Sequence, residues 1–199
     1  VGACGGDRGV ARVGGDVMTW DEFREWASSR AGMHAVNGDL AVRLAYLALG
    51  LCGEAGEYER ACHGGAHPRS DEVRDGELRE ELGDVAWYLA MLEHATCVRV
   101  EWPAWAFDAQ VRAEWPGPLS LYAFTGAVAE CVKRPMSGRE FPVDRFRAAL
   151  TGVACELAYD ALCVGGMGAV IAANVAKLSA RYPEGYTVEK ARERDGDGR

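Results

Sequence analysis

From Glu77 to Cys97 the chain carries Leu78, Leu82, Val85, Leu89 and Leu92 at spacings of three and four. After Asp84 it reads Val-Ala-Trp-Tyr-Leu-Ala-Met-Leu, apolar nearly all round. Apolar residues at that spacing line one face of a helix. A helix that is apolar on every side must be surrounded by other elements. This segment therefore points to a helical bundle with 77–97 near its centre.

The flanking sequence reads the same way. Thr19-Trp20-Asp21-Glu22 is a capping box, a hydroxyl at the N-cap with a carboxylate three residues on, and predicts a helix over 20–31. Asn37-Gly38-Asp39 is a turn and start signal. Behind it Leu44, Leu47, Leu51, Ala55 and Tyr58 predict a helix over 40–62, stopped by His63-Gly64-Gly65-Ala66-His67-Pro68. A short helix is expected over 103–114, broken by Trp115-Pro116-Gly117-Pro118. Three more follow over 119–133, 143–163 and 167–181, the last stopped by Tyr182-Pro183-Glu184-Gly185. No alternating strand pattern occurs, so the expected class is all-α. Residues 1–17 are Gly-rich with few apolar anchors and read as an unstructured N-terminal extension ahead of Met18. The domain then spans 18–187, and 188–199 is a charged tail.

Composition narrows the function classes. The chain has 199 residues, enough for one domain, with 22 Lys and Arg against 30 Asp and Glu, a net charge of −8. That balance, with no basic block, argues against a nucleic-acid partner. No apolar run approaches the ~20 residues a membrane span needs, and no signal-peptide core stands near the N-terminus. The seven cysteines, Cys4, Cys52, Cys62, Cys97, Cys131, Cys155 and Cys163, are odd in number, form no CxxC pair and sit mostly in apolar stretches. They read as reduced thiols of a cytoplasmic protein. A small anionic ligand stays open, because a bound cation reverses the local sign.

The residues that carry chemistry are two i, i+3 acidic pairs, Glu54 with Glu57 and Glu81 with Asp84. Glu54 lies on the apolar stripe of its helix, and Glu81 borders its own. Acids at helical spacing are ordinarily solvated, and Glu59, Glu80 and Glu93 are read that way. Carboxylates leaning into a bundle are costly unless paired or metal-bound. Two such pairs on sequential helices, among Gly and Ala that permit close approach, would repel one another without a cation between them. Oxygen-only ligands suit Mg²⁺, Mn²⁺ or Ca²⁺. Near the end of the last helix, Asn174, Lys177 and Arg181 share a face and offer an amide and two cations to anionic oxygens. A di-iron carboxylate bundle would instead want Glu-x-x-His pairs, which are absent. His63 and His67 read as loop residues, and Trp20, Trp26 and Trp87 as core rather than site.

In this order the motifs resemble the MazG-like members of the all-α nucleoside triphosphate pyrophosphohydrolases. The resemblance rests on Glu54-x-x-Glu57, on Glu81-x-x-Asp84 within Glu-Glu-Leu-Gly-Asp-Val-Ala-Trp-Tyr-Leu, and on Asn174-x-x-Lys177-Leu178-x-x-Arg181-Tyr182-Pro183-x-Gly185. It implies a Mg²⁺-dependent hydrolase, Mn²⁺ being the alternative ion, that cleaves an NTP or dNTP to NMP and pyrophosphate. By the same resemblance Glu54, Glu57, Glu81 and Asp84 would hold the metal, with Glu57 or Glu54 as the proton acceptor. Asn174, Lys177 and Arg181 would hold phosphates, and Tyr182 would border the nucleotide. Relatives acting on dUTP or phosphoribosyl-ATP, and a catalytically silent nucleotide-binding scaffold, are the alternative readings.

In the simple plan of that family the basic motif follows the acidic helices closely, whereas here about 80 residues intervene. The insert suggests a degenerate internal duplication, with a first copy over 38–97 and a second over 119–164, followed by the phosphate-binding helix 167–181. Gly50-x-x-x-Glu54 recurs as Gly126-x-x-x-Glu130. Leu82-x-x-Val85-Ala86-x-x-Leu89-Ala90 recurs as Leu150-x-x-Val153-Ala154-x-x-Leu157-Ala158. In this alignment Lys133, Ala149 and Gly152 stand where the first copy has Glu57, Glu81 and Asp84. The metal site would then be lost from the second copy. Both a homodimer and a pseudo-dimer within one chain fit this reading.

Overall fold

A computed structural model describes residues 11–13, 16–31, 39–63, 71–107 and 120–185. Six helices make up almost all of it: α1 (Trp20–Arg30), α2 (Leu40–His63), α3 (Asp71–Thr96), α4 (Leu121–Met136), α5 (Val143–Leu162) and α6 (Met167–Arg181). The class is all-α, as expected. Part of the N-terminal stretch departs from the unstructured expectation. Strands β1 (Ala11–Val13) and β2 (Asp16–Met18) form an antiparallel hairpin, Arg12 opposite Val17, and β1 lies beside α6. Strands of three residues are too short for an alternating pattern to declare itself.

Local chemistry explains the helix ends. Thr19 accepts from the backbone N–H of Glu22 at 3.3 Å, and the Glu22 carboxylate accepts from the N–H of Thr19 at 2.7 Å, closing the capping box of α1. Asp39 caps α2, its carboxylate accepting from the N–H of Val42 at 2.9 Å. α3 starts six residues ahead of the expected Glu77, because the polar first turns carry no apolar stripe to announce them. α4 runs three residues past Lys133 and carries Pro135 in its last turn, where the missing N–H leaves the carbonyl of Cys131 without its helical donor. The expected helix 103–114 is a turn over its described part, 103–107, closed by the N–H of Ala106 on the carbonyl of Pro103 at 2.9 Å. Residues 108–114, the Trp115–Pro118 break and the tail after 185 lie outside the described residues.

α3 is the central element. It packs against α1, α2, α5 and α6, and Leu82, Val85, Ala86, Leu89, Ala90, Met91 and Leu92 are fully buried. α2 and α3 run antiparallel, shown by Cys62 facing Arg74 at one end and Gly50 facing Tyr88 at the other. α4 and α5 form a second hairpin, and α4 lies antiparallel on α2, with Cys52 facing Thr125 and Gly56 facing Tyr122. Gly165 and Gly166, at φ of 101° and 86°, let the chain turn by 95° between α5 and α6. The guanidinium of Arg79 on α3 donates to the carbonyl of Val164 at 2.9 Å and pins that turn. The turn lays α6 across α3.

Glu93 is a correction. It was expected on a solvated face, but it is 2% exposed. Its carboxylate accepts from the indole N–H of Trp20 at 2.6 Å and from the backbone N–H of Val100 at 2.7 Å. One buried acid thus ties α1 and the segment after α3 to the centre of the bundle. Burial pushes its pKa up, against the lowering effect of those two donors and of Arg24. Glu80 is exposed, and Glu59 pairs with His63 at 3.0 Å on the surface. Among the described residues every cysteine is a free thiol, and no single helix is long and apolar enough to cross a membrane.

Candidate metal and phosphate site

The antiparallel crossing of α2 and α3 brings the two acidic pairs together. Carboxylate oxygens of Glu54, Glu57 and Glu81 lie within 4.8 Å of one another. Glu54 and Glu81 are half-buried. Glu57 opens to solvent, with 52% of its side chain exposed and Arg60 at 3.2 Å. Burial, and then the charges of Asp84, Glu57 and Glu81, push the pKa of Glu54 up to about 7. Burial and the neighbouring Asp84 and Glu57 raise that of Glu81 as well.

Asp84 takes a different set of partners. Asn174 Nδ2 donates to one oxygen at 2.9 Å, and Lys177 Nζ donates to the other. Burial raises the Asp84 pKa, while Lys177, Arg181 and Asn174 oppose the rise. The contact exists because α3 has no side chain at Gly83. A Cβ there would stand 2.9 Å from Asn174 Cβ and 3.4 Å from the carbonyl of Val170. Arg181, at the end of α6, is exposed and acts on Asp84 through its charge. Tyr182 is buried, and its carbonyl accepts from Arg30 at 3.4 Å, so its ring does not line an open surface. All four acids and two of the three phosphate candidates therefore meet at one place, with Arg181 at its edge.

Two residues of this neighbourhood were not singled out from the sequence. Tyr88 lies four residues after Asp84, and its ring covers Gly50 of α2. Burial raises its pKa, as do the nearby Tyr46, with which it shares a hydrogen bond, and Glu54. The four-residue step from Asp84 was the available signal. In the sequence that signal is masked by the apolar residues on either side, which make the whole stretch look like core. Trp87 packs edge-on against Tyr88 with ring centroids 4.9 Å apart, Trp20 is in the core, and Trp26 carries Arg30 over its ring. His63 is exposed, and His67 lies outside the described residues. A cavity of about 400 Å³ at the α4–α5 turn, beside Arg134, Phe141 and Arg145, contains none of the site residues.

The donor set suits a hard divalent cation: carboxylate oxygens only, from two helices, at mutual distances one ion can span. A buried orphan at the same place adds to this. Asn174 is 0% exposed, and its Oδ1 has no hydrogen-bond partner, leaving an acceptor beside Asp84 for a water or a cation. The chain matches no family model, no curated protein and no solved structure.

Proposed function

We propose that the chain is a nucleoside triphosphate pyrophosphohydrolase that uses Mg²⁺, or Mn²⁺, to convert an NTP or dNTP to NMP and pyrophosphate in the cytoplasm. The observation that carries this reading is the meeting of Glu54, Glu57 and Glu81 within 4.8 Å, with Asp84 at their edge under Lys177 and Asn174. Acids and phosphate-type donors from helices far apart in sequence share one site, which a purely solvated acidic face would not require.

Glu54, Glu57, Glu81 and Asp84 would hold the metal. When bound, a divalent cation offsets the charge of phosphate oxygens and makes water more acidic. Glu57, the most open of the cluster, would accept the proton of the attacking water and pass it to solvent, with Glu54 as the second candidate. Lys177 and Arg181 would hold the leaving pyrophosphate, and Asn174 would fix the orientation of Asp84. Positioning and electrostatics supply most of the catalysis in phosphoryl chemistry of this kind. The hairpin α4–α5, with Lys133, Ala149 and Gly152 where an internal repeat would align Glu57, Glu81 and Asp84, would act as the scaffold that backs α2 and leads into α6.

The test is a panel of NTPs and dNTPs, including dUTP, together with phosphoribosyl-ATP, incubated with Mg²⁺ and scored for monophosphate or its equivalent. Release of monophosphate and pyrophosphate is expected. Glu54→Ala and Asp84→Ala should each abolish it while circular dichroism shows unchanged helix content. Nucleotide binding without turnover would favour the silent scaffold, and full activity in either variant would overturn the site assignment.

A further inference from the structure

Asp84 is not among the three carboxylates that approach one another most closely. One of its oxygens is held by Asn174 and the other by Lys177. The Lys177 side chain is only 11% exposed, so its charge lies within the site and not out in solvent. The acidic cluster therefore already has a cation, and that cation belongs to the chain.

We propose that Lys177 is the resident counter-ion of this site, holding Asp84 until a divalent cation displaces it, so that metal and phosphate binding favour each other. The inference rests on the reading that the carboxylates take a divalent cation. An ammonium and a divalent ion held on one half-buried carboxylate repel each other. Metal entry at Asp84 therefore moves Lys177 off it. A displaced, poorly solvated ammonium then needs another anion, and phosphate oxygens beside the metal supply one. Without phosphate, the metal has to compete with Lys177. Without metal, a phosphate has to draw Lys177 away from Asp84. By linkage, each ligand tightens the other. The unpartnered Oδ1 of buried Asn174 fits such an exchange, because it offers an acceptor when the groups around Asp84 change places.

Metal affinity alone tests this, with no turnover involved. Mn²⁺ is titrated at pH 8 into wild type and Lys177→Met, and the free ion is followed by electron paramagnetic resonance. Met keeps an unbranched apolar stem and removes the charge. Mn²⁺ should bind the variant more tightly by at least about fivefold, the low end of ordinary coupling between linked sites. Equal or weaker binding by the variant would overturn the counter-ion role and leave the metal reading standing. No Mn²⁺ bound by either protein would overturn both. Should the variant fail to fold, wild type answers the question through lysine acylation followed by mass spectrometry, with exposed Lys133 as the reference. Saturating Mn²⁺ should raise the rate at Lys177 relative to Lys133, and an unchanged ratio would overturn the proposal.

Discussion

At Glu54 a requirement of the site works against the stability of the fold. Its folded pKa of about 7 lies above the 4.5 usual for a glutamate, first through burial and then through its acidic neighbours. A carboxyl group with a raised folded pKa contributes its full stability below the unfolded pKa, and that contribution is lost as pH rises through the folded value. The shift sets a ceiling of about 3 kcal/mol by pH 8, and solvent screening at this half-exposed carboxylate brings the effect below it. Glu54→Gln removes the charge and keeps the shape. Without divalent metal, the variant should be more stable than wild type at pH 8, by less than about 3 kcal/mol, while losing activity. At pH 4 the two should converge. Urea melts at the two pH values check this, and a variant less stable than wild type at pH 8 would contradict it. Burial raises the pKa of Glu93 as well, but both its oxygens are engaged by buried donors, so its side chain holds elements together. Glu93→Ala strands the indole N–H of Trp20 and the N–H of Val100. It should cost about 2–4 kcal/mol in urea unfolding, with Trp fluorescence reporting loosening of α1.

Between elements, the contact that assembles the site is α3 against α6, and Gly83 sets its closeness. Gly83→Ala puts a methyl group 2.9 Å from Asn174 Cβ, which is no flexible tip that could swing aside. The helices must separate, at a cost of about 1–3 kcal/mol, and the Asn174 and Lys177 contacts with Asp84 should lengthen. A fall in turnover larger than the stability loss explains is expected, read from kcat at a temperature where both proteins are fully folded. The six long helices were legible in the sequence, because apolar periodicity, the Thr19–Glu22 box and the Gly and Pro breaks are local signals, whereas the helix expected over 103–114 is a turn over its described part. Glu54, Glu57, Glu81 and Asp84 were legible because their spacing puts each pair on one helix face. Glu93 was not, since its partners Trp20 and Val100 come from other parts of the chain and give its own helix face no mark. Nor was the Asp84–Lys177 pairing, for α6 reaches α3 only through the 95° turn at Gly165 and Gly166.

For the molecule as a whole these local charges add up. The chain carries a net charge of −8, and Glu54, Glu81, Asp84 and Asp160 all have pKa values raised chiefly by burial. For Asp160, which shares a hydrogen bond with Tyr58, the value reaches about 6. All four groups act in the same direction, so without metal the stability of the folded chain should fall as pH climbs from about 4 toward 7 and level off above. On the proposed reading, a divalent cation at the carboxylate cluster would bind the folded chain and not the unfolded one. At a concentration of about a hundred times its dissociation constant it should restore roughly 2.7 kcal/mol. That corresponds to a rise in melting temperature of about 5–10 °C for a chain of this size. The rise belongs at pH 8, where the carboxylates are ionised, and should shrink at pH 5, where protons compete for the same oxygens. Thermal melts with and without Mg²⁺ at both pH values measure it. Glu81→Gln supplies the control, because removing one of the three close carboxylates should erase most of the rise. A Mg²⁺ effect of equal size in that variant would mean that the ion stabilises the chain by screening its net charge, and that the cluster between α2 and α3 does not bind it.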